Sequence, residues 1–376
     1  MYDIMTPGPT QVRENVLAAR ALPCTNPDLD PDFFTFYKET CELISSLLHT
    51  GNQTLILDGE GILGLEAACA SLTEPGDRVL VLDNGVFGKG FADFVRIYGG
   101  EPVLYTTDYR HTLDVDALAA FLEKDHDFKY ATVVHCDTPS GMLNDISRIC
   151  PLLNSWGILT VVDSVSAMFG EEVRVDDFCI DLLCGGSQKA VSAPPGLTFV
   201  TISPAAWKTM KERRTPIASF YANLLAFDGY FEKQWFPYTM PISDIRGLRA
   251  AFENIQADPD ILGRHARIAQ AVRKALTECG LTLHTRDGWS NTVSVFDVPA
   301  GTTASAILTA LREDHNLMLA GSFDVLEGQV IRIGHMGENA REEKLAAVMK
   351  ALDAVFAKLG VILNGSLEEV YRLCLQ

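Results

Sequence analysis

Basic residues are scarce in this 376-residue sequence, where 31 lysines and arginines stand against 49 aspartates and glutamates and leave a formal net charge of −18. Such an acidic chain is repelled by nucleic acid and by anionic membrane surfaces, so neither is an expected partner. No apolar run is long enough to span a bilayer. The opening MYDIMTPGPT also lacks the basic and then apolar pattern of a secretory leader. We therefore expect a cytoplasmic protein.

Cysteine is present but shows no pairing pattern. The nine cysteines are an odd number and none are spaced as C-x-x-C, which argues against a disulfide framework and against a structural zinc site. Cys136, Cys179 and Cys184 fall in apolar surroundings. This pattern predicts buried thiols in a reduced compartment, and no metal site is expected.

Short apolar runs rich in Val, Ile, Leu and Thr recur through the first two-thirds of the chain, with helical periodicity between most of them. Because these runs are continuous rather than alternating, they predict a parallel sheet that is buried on both faces. Too few residues separate the last two runs for a crossover helix, so that pair is expected to be antiparallel. The seven predicted strands are residues 54–57, 79–83, 102–106, 131–136, 159–164, 181–184 and 197–202.

The character of the chain changes after about residue 205. A basic helical piece (205–216) and an aromatic, loop-like segment (220–241) are followed by a helical pattern from about 243 to 280, broken at Asp258-Pro259. Strands at 293–298 and 330–333 then alternate with helices at 304–314 and 341–359. The fold class is thus α/β, with a large domain built on the seven-stranded, mostly parallel sheet and a smaller C-terminal α+β domain.

A glycine-rich loop, DGEGILGLEAA, follows the first of these strands and matches G-x-G-x-x-G. One interpretation is a dinucleotide-binding oxidoreductase, with Asp83 about 20 residues on as the acid that holds a ribose hydroxyl. Glu60 argues against it, because two unit charges 4 Å apart repel by roughly 4 kcal/mol at an effective dielectric near 20. The motif also normally opens its domain, whereas here some fifty residues precede it.

A second interpretation rests on two later strands, one ending in Asp163 and the next delivering Lys189 through CGGSQKA. The carboxyl ends of parallel strands meet at one edge of a sheet, so these two side chains can share a pocket. An amine that attacks an aldehyde, with a carboxylate for a pyridinium nitrogen, suits pyridoxal chemistry. Alternatively, Asp163 is a helix N-cap and Lys189 a surface residue.

Four motifs distinguish these alternatives: TPGPT near the start, DSVSAMFG, GGSQKAVSAPPG and RIGHMG. From residue 5 to about 360 the sequence resembles class V aminotransferases of the alanine–glyoxylate and serine–pyruvate group. The resemblance implies the fold-type-I architecture of pyridoxal-phosphate transferases, an amino acid and a 2-oxo acid as substrates, and Lys189 as the residue that forms the Schiff base. It also implies a homodimer with shared active sites, or a tetramer built from such dimers. We expect residues 14–255 to form the large domain, and residues 1–13 with 256–376 the small one.

The same resemblance assigns roles to further residues. Phe87 is expected to stack on the cofactor ring, Thr138 to lie near its phenolic oxygen, and Gln188 to lie near its 5′ substituent. Arg332 is expected to bind the substrate α-carboxylate as a bidentate fork, with Gly8 of TPGPT also at the substrate. His135 and His335 are interpreted as structural. Apart from the family, Phe87 and Arg332 would be read as a core aromatic and a strand-end charge.

Glu60 departs from the phosphate-binding pattern of the family. That position usually carries a small hydroxyl residue, and Ile62, after Gly61, replaces a histidine or threonine. Phe236 replaces a phosphate-contacting tyrosine expected from the neighbouring subunit, although Thr239 is retained. Donors are lost and an acid is gained, which suits the neutral hydroxymethyl group of unphosphorylated pyridoxal or pyridoxamine. The alternative is that Glu60 points outward and the backbone N–H groups of Gly61 and Ile62 hold pyridoxal phosphate.

The motif GEGILGLEAACASL, together with GVFGKGF, DTPSGMLN, APPGLTFV and RIGHMG, resembles the pyridoxamine–pyruvate transaminase branch of this family most closely. The hypothesis is an amine transfer between free B6 and pyruvate or glyoxylate. Two features depart from the branch: Phe87 stands in place of its tyrosine, and a second carboxylate-binding arginine expected shortly before Arg332 is absent from the segment Gly321-Ser322-Phe323-Asp324. An ordinary alanine/serine–glyoxylate (pyruvate) aminotransferase is the alternative. A cysteine desulfurase would need a loop cysteine for which none stands out, and a non-enzymatic B6 binder would have little use for Lys189.

Overall fold

A seven-stranded sheet forms the centre of the structure, a computed structural model that describes residues 2–376. Three two-stranded sheets accompany it. In chain order, the strands of all four sheets are β1 (Asp3–Ile4), β2 (Gln53–Asp58), β3 (Arg78–Asp83), β4 (Glu101–Thr106), β5 (Tyr130–Val134), β6 (Cys136–Asp137), β7 (Met142–Leu143), β8 (Leu159–Asp163), β9 (Leu182–Gly186), β10 (Leu197–Ile202), β11 (Val293–Asp297), β12 (Leu317–Met318) and β13 (Val330–Gly334).

Helices cover the sheet and build the rest of the chain. The α-helices are α1 (Glu14–Arg20), α2 (Pro31–Leu47), α3 (Gly61–Leu72), α4 (Val86–Ile97), α5 (Val115–Leu122), α6 (Ile146–Ser155), α7 (Pro204–Lys211), α8 (Tyr230–Lys233), α9 (Ile242–Gln256), α10 (Ile261–Glu278), α11 (Ala304–His315), α12 (Glu342–Lys358) and α13 (Leu367–Leu375). Three short 3₁₀ segments lie at Leu224–Phe227, Asp324–Leu326 and Gly337–Asn339. No helix among residues 2–376 has both the length and the apolar character needed to cross a membrane.

The order of strands in the large sheet is β2-β10-β9-β8-β5-β3-β4. Strand β10 runs antiparallel to both of its neighbours, and the other pairs are parallel. Both the seven-stranded sheet and the antiparallel pair at the end of the series are therefore confirmed. The continuous apolar strands are buried as expected, since all six residues of β10 and all five of β5 lie inside.

Buried apolar side chains form two clusters. The larger cluster surrounds the seven-stranded sheet, and the smaller one packs α10, α11, α12 and α13 against Phe296, Ile331 and Ile333. Met5 from the N-terminal segment belongs to the smaller cluster. The division into residues 14–255 and residues 1–13 with 256–376 stays a prediction, and the two clusters support it.

Some predicted boundaries were wrong in detail. The strand expected at 131–136 divides into β5 and β6 at His135, whose N–H bonds to the carbonyl oxygen of Asp163 at 2.8 Å. Cys179 is only partly buried, because it turns the chain with a φ of 54° before β9 begins. All nine cysteines are free, and six of them, including Cys136 and Cys184, are buried.

Helix α3 lies close against the large sheet, which explains part of the glycine motif. A Cβ on Gly64 would lie 2.4 Å from the hydroxyl oxygen of Thr198 on β10. The third glycine of G-x-G-x-x-G therefore allows the helix to approach the strand, and this contact fixes the N-terminus of α3 at the carboxyl edge of the sheet.

Candidate active site

A cleft opens where the sheet strands end, with about 460 Å³ of empty space that extends to solvent. It unites eight of the predicted site residues: Glu60, Gly61, Ile62, Phe87, Thr138, Asp163, Gln188 and Lys189. They lie at the end of β8, in the loops after β2, β6 and β9, and in the first turns of α3 and α4. Leu65, Val165 and Ser166 also line it, and the sequence patterns did not single these out.

Lys189 is held by the N-terminal segment. Its Nζ donates a hydrogen bond to the carbonyl oxygen of Pro7 at 2.6 Å, and its own carbonyl accepts one from the hydroxyl of Thr10 at 3.0 Å. A Cβ on Gly8, whose φ is +91°, would lie 2.4 Å from Cδ of Lys189. Gly8 thus contacts the amine-bearing side chain, and the requirement for glycine there is steric.

The electrostatic surroundings of Lys189 favour a partly neutral amine. Burial, and then the positive charge of Arg332, lower its pKa from 10.5 to about 8, while Asp163 and Glu60 act in the opposite direction. At pH 7 about a tenth of the amine is therefore unprotonated, far more than for an exposed lysine, and this neutral form can act as nucleophile or general base.

Asp163 is the last residue of β8 and lines the same cleft as Lys189. One carboxylate oxygen accepts the N–H of Val165 at 2.9 Å. Burial raises the pKa of Asp163 to about 7, and the charge of Lys189 opposes that rise. A buried carboxylate with so few donors is stabilised by a cationic partner, such as a protonated ring nitrogen.

Glu60 caps helix α3, and the residue is exposed at the rim of the cleft. One oxygen of its carboxylate accepts the N–H of Ile62 at 3.2 Å, and the other accepts the side-chain amide of Gln188 at 3.0 Å. The amide oxygen of Gln188 is buried and has no hydrogen-bond partner. The helix N-terminus, where an external anion would normally bind, thus holds the chain's own carboxylate.

Thr138 and Phe87 form another part of the wall. The hydroxyl of Thr138 is hydrogen-bonded to that of Ser166, another cleft residue. The backbone N–H of Phe87 donates to the buried carboxylate of Asp137 at 2.9 Å, which ties the start of α4 to the turn that carries Thr138. Asp137 and Ser166 lie within the motifs DTPSGMLN and DSVSAMFG, but the resemblance assigned neither of them a role.

Arg332 lies on β13, beside the cleft. Its guanidinium donates to the carbonyl oxygens of Gly321 and Thr138, the latter at 3.4 Å. Burial lowers the pKa of Arg332 to about 10. Two of its five N–H groups are thus occupied, which leaves enough donors for one carboxylate.

Phe236 and Thr239 lie outside the cleft. The ring of Phe236 is buried and stacks on Phe34 with centroids 4.5 Å apart, within an aromatic cluster that includes Tyr37 and Tyr230. The hydroxyl of Thr239 donates to Asp28 at 3.1 Å. Neither residue contacts the cofactor cleft of its own chain, so any role would be toward a second copy.

Other candidates have structural partners. His135 bonds to Ser164 at 3.0 Å and His335 to Ser294 at 2.8 Å, and burial lowers the pKa of each imidazole to about 3. The carboxylate of Asp83 accepts hydrogen bonds from Tyr109 and Thr106. Within residues 2–376, no group of three or more His, Cys, Asp or Glu side chains is arranged to hold a metal ion.

The donor set of the cleft fits a pyridoxal-type molecule. One space is surrounded by an amine, a buried carboxylate, an aromatic side chain and a pair of hydroxyls. The amide oxygen of Gln188 has no hydrogen-bond partner and can accept a bond from a ligand. Lys189, Asp163, Phe87 and Thr138 are the residues that would hold the ring. The glycine loop does not suit a dinucleotide, because the carboxylate of Asp83 is already hydrogen-bonded and that of Glu60 occupies the N-terminus of α3.

The sequence of this chain is similar to those of known aminotransferases. The family model described as aminotransferase class-V matches residues 24–349. An uncharacterised aminotransferase of Methanocaldococcus jannaschii is 33% identical over 98% of this chain and 96% of its own. Pyridoxamine–pyruvate transaminase of Mesorhizobium japonicum is 32% identical over 89% of this chain and 86% of its own.

The fold of this chain is also similar to that of a solved aminotransferase structure. The crystal structure of ureidoglycine–glyoxylate aminotransferase from Bacillus subtilis superposes with a TM-score of 0.95 at 27% identity, covering 100% of this chain and 98% of that one. The similarity thus spans the whole chain rather than the large sheet alone.

Proposed function

The chain belongs to the class V aminotransferases, and we propose that within this family it transfers an amino group between free pyridoxamine and a small 2-oxo acid such as pyruvate. It is a transaminase of the pyridoxal-dependent fold type I. The finer proposal is that the B6 molecule is unphosphorylated and acts as a substrate: pyridoxamine and the 2-oxo acid give pyridoxal and the amino acid.

One observation carries the proposal: the carboxylate of Glu60 sits at the N-terminus of α3, bonded to Ile62 and Gln188. A phosphate ester carries about 1.5 to 2 negative charges at neutral pH and would lie against this carboxylate. Even one unit charge at 4 Å is repelled by roughly 4 kcal/mol at an effective dielectric near 20. A hydroxymethyl group avoids this repulsion.

The hydrogen-bond inventory supports the same choice. At this end of the cleft stand two acceptors, the Glu60 carboxylate and the unpartnered amide oxygen of Gln188. An alcohol can donate to either of them, whereas an ionised phosphate offers almost only acceptors. The cleft therefore suits a neutral donor.

The remaining residues have distinct tasks. A pyridoxal ring, when bound, supplies an aldehyde that captures amines and a conjugated system that withdraws electrons from the neighbouring carbon. Lys189 would hold the ring and move a proton at the substrate carbon with its neutral amine. Asp163 would keep the ring nitrogen protonated, and Arg332 would orient the substrate through its carboxylate.

The test compares binding of pyridoxal and pyridoxal phosphate by absorbance titration and measures alanine formed from pyridoxamine and pyruvate. Wild type should prefer pyridoxal by at least about tenfold, since part of the repulsion is screened. The Glu60→Ser and Glu60→Gln variants should lose that preference. Glu66→Gln is the matched control, because Glu66 is on the same helix but bonds to Tyr98.

Tighter binding of the phosphate form by wild type, without alanine formation from pyridoxamine, would overturn the proposal. The protein would then be an ordinary alanine/serine–glyoxylate (pyruvate) aminotransferase that retains pyridoxal phosphate. If Lys189→Ala leaves the absorbance change with pyridoxal intact, the assignment of the amine is wrong.

We also propose a homodimer in which each copy completes the other's active site. Aromatic side chains stand exposed near Thr239: Phe220 is 67% exposed, Tyr221 49% and Trp235 52%. Ile62 at the cleft is 38% exposed. Light scattering after gel filtration should give twice the mass of the chain, and a Phe220→Ser/Trp235→Ser variant should shift toward monomer with weaker pyridoxal binding. A monomeric wild type would exclude this arrangement.

We place the reaction in the cytoplasm. The nine free cysteines suit a reducing compartment. Fractionation of the native cells with an antibody to the protein tests this assignment, and recovery outside the cytoplasmic fraction would contradict it.

A further inference from the structure

Phe323 lies in the loop between β12 and β13, and its ring contacts Phe87, a residue that lines the cleft. The backbone N–H of Arg332 donates to Ala320 at 2.7 Å, and the hydroxyl of Ser322 donates to the carbonyl oxygen of Pro139 at 3.2 Å. Leu326, after Phe323, is buried in the larger core cluster. The loop is thus anchored on both sides of Phe323, whose side chain is nonetheless 43% exposed.

The ring of Phe323 stands between two residues assigned to the reaction. Its centroid lies 6.0 Å from that of Phe87 in an edge-to-face arrangement, and 5.8 Å from the guanidinium carbon of Arg332. Phe87 lines the cleft, and Arg332 contacts the carbonyl of Thr138, another cleft residue. A substrate carboxylate on Arg332 would therefore place the rest of the molecule beside an apolar ring.

The surrounding charges are acidic. Burial, and then the carboxylates of three aspartates, raise the pKa of Tyr109; the three are Asp83, Asp137 and Asp324. Asp324 directly follows Phe323, and Asp137 directly precedes Thr138. A second carboxylate on the substrate would be desolvated against the ring of Phe323 and repelled by these acids, while Arg332 binds the first carboxylate.

Resting on the proposed amine transfer, we propose that Phe323 determines acceptor specificity: it gives the 2-oxo acid's side chain an apolar wall and rejects acids with a second carboxylate. Arg332 binds the one carboxylate that is accepted. The acceptor is thus a short 2-oxo monoacid with an apolar side chain, and added methylene groups should be tolerated better than added charge.

A matched pair of acids tests this inference. 2-Oxopentanoate and 2-oxoglutarate have five carbons each and differ in a terminal methyl against a carboxylate. Wild type should favour 2-oxopentanoate by at least about 30-fold in kcat/KM, and Phe323→Arg should shift the ratio at least about tenfold toward 2-oxoglutarate. Val325→Arg adds the same charge two residues away on a 55% exposed side chain and should leave the ratio unchanged.

A second measurement separates this inference from the proposed function. Calorimetric binding of the two acids to the pyridoxal-loaded protein should show the same preference without turnover, and Phe323→Leu should retain it. If free pyridoxamine is not a substrate, the ratio is measured on protein loaded with pyridoxal phosphate, with L-alanine as donor. Equal use of both acids by wild type, or a folded Phe323→Arg protein with an unchanged ratio, would overturn the role of Phe323.

Discussion

The side-chain amide of Gln188 donates a hydrogen bond of 3.0 Å to the carboxylate of Glu60, which joins the residue before Lys189 to the cap of helix α3. The bond spans 128 positions of the chain and lies at the cleft. It leaves the second oxygen of Glu60 for the N–H of Ile62 and leaves the amide oxygen of Gln188 unpartnered. The pair thus presents two acceptors at the N-terminus of α3, the Glu60 carboxylate and the unpartnered amide oxygen of Gln188.

The first prediction is that Glu60 and Gln188 act as a unit in binding B6. Gln188→Met removes both the donor to Glu60 and a buried acceptor, so pyridoxal should bind about 5- to 30-fold more weakly. A double-mutant cycle with Glu60→Gln should give a coupling of about 1–2 kcal/mol. The measurement is pyridoxal binding by absorbance titration. Strictly additive losses would show that the two side chains contribute independently.

The second prediction concerns the pH dependence of Lys189. Burial, with help from Arg332, lowers the pKa of its amine to about 8. Only the neutral amine attacks an aldehyde, so the rate of the absorbance change with pyridoxal should rise with pH to a midpoint near 8. An exposed lysine would show a midpoint near 10.4.

Arg332→Gln removes a positive charge and should move that midpoint upward, slowing the reaction at pH 7. Stopped-flow absorbance between pH 6 and about 10 is the measurement, with Lys189→Ala as the blank. A midpoint unaltered by Arg332→Gln would mean that the guanidinium does not act on the amine.

The third prediction is that Asp163 lowers the free energy of unfolding of the B6-free protein increasingly as the pH rises. Burial raises its pKa from 3.8 to about 7, so between these values the folded protein binds more protons than the unfolded chain. Stability therefore falls as the pH rises through this window. Asp163→Asn removes that fall. The difference in free energy of unfolding between the variant and wild type should therefore be about 2–4 kcal/mol more favourable to the variant at pH 7 than at pH 4.

Urea unfolding of B6-free wild type and variant at several pH values measures the difference, which cancels the contributions of other acids such as Glu171. Asp163→Asn should at the same time weaken pyridoxal binding, because the ring nitrogen loses its anionic partner. Parallel stability curves for the two proteins from pH 4 to 7 would contradict the account.

The large sheet and the pairing of Lys189 with Asp163 were predictable for local reasons. Each strand is a continuous apolar run, and both residues follow such runs directly, so topology alone brings them to one edge. The capping role of Glu60 was not predicted, because glutamate is not among the side chains that usually cap a helix N-terminus.

Contacts between distant segments were not predictable. The carbonyl of Pro7 holds Lys189 across 182 positions, and the amide of Gln188 reaches Glu60 across 128. The family pattern located Phe236 near the phosphate site of a second subunit, but the ring packs on Phe34 in its own chain. No periodicity encodes these contacts, because they depend on how separate loops fold over the sheet edge.

The fourth prediction tests the packing that positions the glycine loop. A Cβ on Gly64 would lie 2.4 Å from the hydroxyl of Thr198, so Gly64→Ala should push α3 away from β10 and lower the free energy of unfolding by about 1–3 kcal/mol. Because Glu60 and Ile62 move with α3, pyridoxal binding should weaken too.

Gly90→Ala is the matched control on α4: a Cβ there meets nothing within 4 Å, so the change should stabilise the protein by about 0.5–1 kcal/mol. Thermal and urea unfolding measure both variants. If Gly64→Ala is as stable as Gly90→Ala and binds pyridoxal normally, the close approach of helix and strand does not set the geometry of the cleft.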